Sequence, residues 1–448
     1  MAPASVKLED VQGIVYTAYQ KHPQAAFLFA RLGDNSEAAR AFLRDKLHHK
    51  AFANAVRSDD REKPRVNIAF SADGLRLLGV PDDVRAGLPQ ELREGMAARG
   101  RVLDENPDQW ELGRDAHHRL DVMLMIYAKD EATRATAIAH WTRELEPFAH
   151  VYPPELSLDT QGKEHFGFAD GLSQPFIRGL HDKPRAHERE IPLGEILLGY
   201  PNAYDRIGTG PRYSDFDLGA NGTYIVFRKL EQDVRAFWTY CRDQARLLNA
   251  TPEWIAAKII GRWPSGAPTN VCPNEDATQF DNSNNFMFLP DDRDGYKCPI
   301  ASHIRRANPR DARDGTAEES LAVVDRHRIL RRGRSWGAPL SIADAIAGSG
   351  ADNPRGLYFI GLNASLARGF EFIQQTWLNN PGFHGLAGER DPITGSGGCP
   401  FTIPARPVRQ RLQNLPRIVT NKGGGYFFLP SFGALAKISG ESRSEQRT

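Results

Sequence analysis

Three stretches of this 448-residue chain hold the side chains best suited to acid–base or metal chemistry. The first is EHFGFADGLSQP (164–175), in which Gly167 and Gly171 bracket Asp170. Glycine tolerates positive φ and close backbone approach, so such a loop can present one carboxylate into a cavity. A plain glycine-rich turn with Asp170 as a local hydrogen-bond acceptor accounts for the same residues. The second is CPIASHIRRANPRDARD (298–314), where His303 stands at a change from apolar to basic sequence. A histidine there reads as a metal ligand or as a structural side chain. Arg305, Arg306, Arg310 and Arg313 interleave with Asp311 and Asp314, which reads as salt-bridged surface. The third, RHRILRRGRSWG (326–337), packs five arginines into nine residues. In an extended segment Arg331 points to the opposite side from Leu330. An inward arginine needs an anionic partner; a solvated basic face is the alternative.

Other sites are excluded. His48-His49 and His117-His118 are adjacent pairs whose side chains diverge, and there is neither a GxSxG elbow nor a GxxxxGK[ST] loop. The glycines of KGGGYFF (422–428) lead into a strand, not a helix, so they form no dinucleotide fingerprint. None of the four cysteines lies in a CxxC pair, and three precede proline; reduced thiols are expected.

The elements that must position these stretches alternate between strand and helix. GIVYTAY (13–19), AAFLFARL (25–32), RVNIAF (65–70) and LDVMLMIYA (120–128) read as strands. Helical spacing of apolar residues marks 35–47, capped by Asn35 or Ser36, then a short helix at 71–79 and a longer one at 132–148. The glycine- and proline-rich stretch from Val151 to about Ser214 reads as a long irregular connection, a length usually tied to function. Strand and helix then resume: strands at 222–230, 356–364 and 426–431, and helices near 231–248, 252–260 and 365–380. Two α+β halves of similar content follow, in keeping with a length that asks for more than one core. The tail SGESRSEQRT (439–448) reads as polar and disordered.

Lys and Arg total 57 against 56 Asp and Glu, a net charge of +1, so no global field draws in nucleic acid or an anionic membrane. No run of about 18 uncharged apolar residues is present to span a bilayer, and the N-terminus MAPASVKLEDVQG shows no secretory signal. A cytoplasmic location is expected.

Taken together, the blocks DVQGIVYTAYQKHPQAAFLF, HFGFADGLSQP, LGANGTYIVFRKLEQDVRAFW, GRWPSGAP, CPIASHIRRANPR, RHRILRRGRSWG and GLYFIGLNASLARGFEFIQQTWLNN resemble, in order and over nearly the whole chain, the dye-decolourising peroxidases, a haem peroxidase family. The resemblance is to its longer bacterial and fungal members. It implies an α+β fold of two ferredoxin-like domains with antiparallel sheets: 1–214 with the GxxDG loop, 215–438 holding one haem b per chain, and 439–448 as a tail. It implies His303 as proximal iron ligand, Asp170 as distal acid/base and Arg331 as distal arginine. Asp391, in ERDPITG, would accept a hydrogen bond from the imidazole. Leu357 and Phe359 would cover the haem, and Arg305 would meet a propionate. The expected partners are hydrogen peroxide and aromatic reductants, anthraquinone or azo dyes and phenols, oxidised in one-electron steps. Ser302, Ala220 and Trp336 depart from the usual alanine, arginine and tyrosine. Trp336 is a candidate electron relay to bulky dyes and Trp377 a weaker one; core packing is the alternative for both. A haem storage, delivery or sensor protein is the rival reading, and the complete Asp170, Arg331 and His303 set argues against it.

Overall fold

The computed structural model describes residues 6–441 apart from 57, 59, 182–188, 209, 278, 281–283, 314 and 396. Ten strands form one antiparallel sheet: β1 (Gln24–Leu32), β2 (Arg65–Phe70), β3 (Val122–Ala128), β4 (Ala149–Val151), β5 (Glu155–Leu156), β6 (Thr223–Gln232), β7 (Leu330–Arg331), β8 (Arg334–Trp336), β9 (Gly356–Asn363) and β10 (Val419–Leu429). The helices that matter below are α1 (Ser36–His48), α2 (Glu131–Leu145), α3 (Val234–Leu248), α4 (Pro252–Ile260) and α5 (His303–Ala307).

The spatial order β8-β9-β6-β10-β2-β3-β1-β4 contains one pattern twice. In the first half β1-α1-β2-β3-α2-β4 gives the order β2-β3-β1-β4; in the second, β6, β8, β9 and β10 give β8-β9-β6-β10. Each is the ferredoxin-like arrangement, a split βαβ unit repeated. The two halves meet at β2 and β10 through the single residue pair Phe70 and Phe428.

The near-continuous apolar runs in the sequence arise because both sheet faces are covered. Ala25, Phe27 and Phe29 enter one core cluster while Ala26, Leu28 and Ala30 enter another. In β9 the alternation is used differently. Tyr358, Ile360 and Leu362 enter the core, whereas Leu357 and Phe359 line a cavity.

Several expectations need correction. Residues 13–19 hold one helical turn, Gly13–Tyr16, not a strand. Its carbonyls are claimed from far away: Arg332 donates to Ile14 O at 2.8 Å and to Val15 O at 2.9 Å, and this tertiary capping overrides β-propensity. The glycines of KGGGYFF lie inside β10 rather than before it, where the register shifts between Asn421 and Gly424. A Cβ on Gly424 would sit 1.9 Å from Phe227 O, so the bulge requires glycine. The helix expected at 365–380 is π-helical over Ala367–Glu371 and Ile373–Leu378, a form that recurs at functional sites. The basic run at 305–310 is not surface: Arg305, Arg306 and Arg310 are buried. All four cysteines are free. Among the described residues no helix is long and apolar enough to cross a membrane. The tail expectation for 442–448 lies outside the described residues.

Candidate active site

The expected residues converge on a single cavity of about 320 Å³ between the sheet, α4, α5 and the π-helical segment. Asp170, Arg331, His303, Leu357 and Phe359 all line it. They come from four separate segments, so only the fold brings them together.

The loop bearing Asp170 is held rigidly. Gly167 and Gly171 adopt φ of +94° and +77°, values that favour glycine. Glu164 ties the loop together, its carboxylate accepting from the Phe166 and Phe168 amides, both at 2.9 Å, and from Gln232 Nε2 at 2.7 Å. Trp238 Nε1 donates to Phe166 O at 3.1 Å from α3. Asp170 itself is anchored through its amide to Gly162 O at 2.9 Å, and its Oδ1 accepts from the Gly171 amide at 2.6 Å. The same loop grips β7. Arg331 N donates to Gln174 Oε1 at 3.0 Å and Arg331 Nη2 to Ser173 O at 3.1 Å. Burial pushes the Arg331 guanidinium down from its usual range, and the nearby charge of Asp170 opposes that.

His303 opens α5, and Ser302 before it anchors the turn by donating to Lys258 O at 2.5 Å. The His303 Nδ1 lies 2.9 Å from Asp391 Oδ2 and 3.1 Å from Oδ1. Asp391 is buried behind the ring and also accepts from the amides of Ile393 (3.0 Å) and Thr394 (2.7 Å) and from the Thr394 hydroxyl (3.0 Å). Burial alone pushes its carboxyl up, but His303 and these donors outweigh it and hold the group below the usual carboxylate range. An ionised Asp391 accepts a hydrogen bond from Nδ1–H, leaving the Nε2 lone pair for a ligand. Among the described residues no group of three or more His, Cys, Asp or Glu forms a metal-ligand set.

Two expected site residues stand elsewhere. Arg305 does not line the cavity. Its Nη1 donates to Asp292 Oδ2 at 3.1 Å and Cys298 O at 2.7 Å, its Nη2 to Arg293 O at 3.0 Å, and it stacks 4.4 Å from the Phe288 ring. Positions i and i+2 of a helix point apart, so His303 facing the cavity turns Arg305 away. Trp336 lies outside the cavity, half-buried, with Nε1 donating to Leu230 O at 3.2 Å; Leu230 does line the cavity. Trp377 is fully buried.

The sequence reading missed Glu164, although the glutamate stands at the head of the same motif. Burial pushes its carboxyl up to about 7, against the opposing hydrogen bonds. The folded protein thus binds this proton more tightly than the unfolded chain does. The stabilisation is complete below the ordinary value of about 4.3 and is lost as pH rises through about 7, at most about 4 kcal/mol. Glu164→Gln is expected to remove that slope, measured by urea unfolding at about pH 5 and about pH 8. An unchanged slope would show that the carboxyl is ionised throughout.

The chain is 30% identical to a dye-decolorizing peroxidase of Exidia glandulosa, over 97% of this chain and 87% of that one. It is 28% identical to the multifunctional dye peroxidase DyP2 of an Amycolatopsis species, over 97% and 96%. Among solved structures it resembles a fungal DyP-type peroxidase from Auricularia auricula-judae, with TM-score 0.83, 25% identity and coverage of 97% of this chain and 100% of that one. An ancestral D-type dye decolorizing peroxidase matches with TM-score 0.82 and 26% identity, covering 97% and 100%. No protein-family model matches the chain.

Proposed function

The chain belongs to the dye-decolorizing peroxidase family and is a peroxidase enzyme, and on that premise we propose that it is a haem peroxidase using hydrogen peroxide to oxidise dyes and phenols by one-electron steps. The observation that carries the reading is the His303–Asp391 pair opening on the same cavity as Asp170 and Arg331. The cavity fits haem b. One imidazole has its second nitrogen anchored, apolar side chains such as Leu230, Leu357 and Phe359 form walls, and four arginines also line the space. His303 would ligate the iron, and the bound haem supplies the redox chemistry.

The chain's own groups do the rest. Asp391 fixes the tautomer of His303 and makes Nε2 the more electron-donating nitrogen. Hydrogen peroxide reacting here must lose a proton from one oxygen and gain it on the other as the O–O bond breaks. Asp170, fixed on its glycine-bounded loop, holds and moves that proton. Negative charge grows on the departing oxygen, and Arg331, already clamped to Ser173 O, stabilises it without reorganising. Leu357 and Phe359 keep the wall apolar.

Bulky dyes would not fit in a cavity of about 320 Å³ that would also hold haem, so we read Trp336 as an electron relay. Its ring is 6.1 Å from that of Tyr358 and bonds the carbonyl of a cavity residue. Lys229 Nζ, 5.2 Å over the ring, favours the neutral indole and so raises the driving force that its oxidation needs.

The test is the visible absorption spectrum of the haem-loaded protein before and after one equivalent of hydrogen peroxide. A Soret band that responds to peroxide in the wild type, and is lost or displaced in His303→Ala, is the expected result. A Soret band indifferent to peroxide would leave a haem carrier, and absence of the band would remove the haem reading. In the same series Trp336→Phe should lose oxidation of bulky dyes while keeping that of small phenols; full activity on both would reject the relay.

A further inference from the structure

Among the described residues four arginines reach the wall of the cavity: Arg228, Arg262, Arg328 and Arg331. Three have acceptors within the protein. Arg228 pairs with Glu105 and donates to Gln374 Oε1 at 3.3 Å. Arg262 donates to Gly266 O at 2.8 Å and Asn284 Oδ1 at 2.5 Å. Arg331 holds Ser173 O. The guanidinium of Arg328 is different: among the described residues no oxygen accepts a hydrogen bond from it, and Asp325, the carboxylate whose charge it feels over a distance, bonds Arg189 through Oδ2 at 2.6 Å.

Arg328 also borders a second, smaller cavity of about 50 Å³, lined by Asn284, Arg310, Arg189 and Asn308. It therefore stands at the partition between a large apolar space and a small polar one. Burial pushes its guanidinium down to about 10. Arg328 is half-buried and faces the cavity with no bonded acceptor, and a partly desolvated cation favours a directly bonded anion, so this position suits an anion from outside the chain. The large cavity offers an apolar wall for a flat ring, while Arg328 and the small polar cavity lie at one border of it. An apolar lining with a cation at its border suits a ligand that is apolar over most of its surface and acidic at one side.

We propose that Arg328 binds a carboxylate of the haem, the role that sequence had suggested for Arg305. The assignment rests on the haem reading above. Arg305 is excluded by geometry, since Asp292 and two carbonyls already take its donors. Arg328 has all its donors available to form charge-assisted hydrogen bonds.

The test compares haem with its dimethyl ester, which lacks both carboxylates, in the full-length wild type and in Arg328→Met. The readout is the rate of transfer to excess apomyoglobin, followed by absorption. A charge-assisted hydrogen bond of about 1.5–3 kcal/mol corresponds to roughly 10- to 150-fold in retention. The wild type should hold haem more tightly than the ester by at least that factor. Arg328→Met should lose haem faster by the same factor and discriminate correspondingly less between the two. Arg328→Lys should recover part of the discrimination, and it serves as the variant if Arg328→Met does not fold. Unchanged discrimination in Arg328→Met overturns the proposal. If in addition the KM for an acidic aromatic reductant rises, the carboxylate bound there belongs to the reductant. Failure of the wild type to retain either porphyrin would overturn the haem reading itself, an outcome distinct from loss of discrimination.

Discussion

Asp170→Asn is expected to slow the reaction with hydrogen peroxide by about 10²–10⁴-fold, the usual contribution of a positioned acid–base group. The change keeps the side chain's shape and removes its ability to take a proton. The loop should survive it, because the amide bond of Asp170 to Gly162 O and the bonds of the Phe166 and Phe168 amides to the Glu164 carboxylate do not involve the substituted atom, and the asparagine Oδ1 still accepts from the Gly171 amide. Haem retention and the resting spectrum should therefore match wild type while the stopped-flow rate with peroxide falls. Among the described residues the other carboxyl on the cavity wall is Glu164, whose oxygens three N–H donors tie to its own loop and to Gln232. Arg331 remains in place, so the residual rate measures what charge stabilisation achieves without proton transfer. A loss of less than about threefold would move the proton transfer to another group, since it lies far below the range for acid–base catalysis.

Arg306→Ala is expected to cost about 3–5 kcal/mol of stability, the range for removing one partner of a buried charged contact. Arg306 is wholly buried and donates to Glu389 O (3.0 Å), Trp377 O (2.6 Å), Leu378 O (3.0 Å) and Asn380 O (2.7 Å), with its guanidinium 4.8 Å from the Phe383 ring. These carbonyls end the π-helical segment and begin the segment that carries Asp391, while Arg306 itself rides on α5 with His303. One side chain thus joins the candidate iron ligand to the carboxylate that orients it. Alanine takes this donor from the buried carbonyls of Trp377 and Glu389 and one of two donors from Leu378 O and Asn380 O, which keep the amides of Asp391 and Phe383. Lysine cannot span them, because it lacks the planar fork. Against a typical total of about 5–15 kcal/mol the loss is severe. Urea unfolding of the apo protein measures it, and faster haem loss should accompany it. A change below about 1 kcal/mol would mean that water replaces the guanidinium at all four carbonyls, against the usual cost of unmet buried acceptors.

Much of this architecture is local and so is written along the chain. The apolar run of β3 and the capped α1 and α2 follow from side-chain periodicity and from Asn35 and Asp130 accepting the Ala38 and Thr133 amides. Asp170 between two glycines, His303 in its apolar-to-basic stretch and Arg331 one residue past Leu330 stand out by type, but their neighbours alone fit a plain turn, a structural histidine and a solvated basic face equally well; the ordered set of blocks singles them out. Helical phase and strand alternation set the directions of His303 and Arg331, and all three side chains line one cavity.

What the chain could not show is which charges are answered, and by what. Arg305, Arg306 and Arg310 look like a solvated basic run, yet each is buried among acceptors 7 to 83 residues away in sequence. The single turn at 13–16 exists because Arg332 reaches it across 317 or 318 positions. Arg328 and Arg305 are indistinguishable by type and setting in sequence; only the packed structure commits one to Asp292 and leaves the other facing the cavity. The reason is that an arginine's role is decided by whether distant carbonyls and carboxylates satisfy its donors, and those arrive only when the tertiary structure closes.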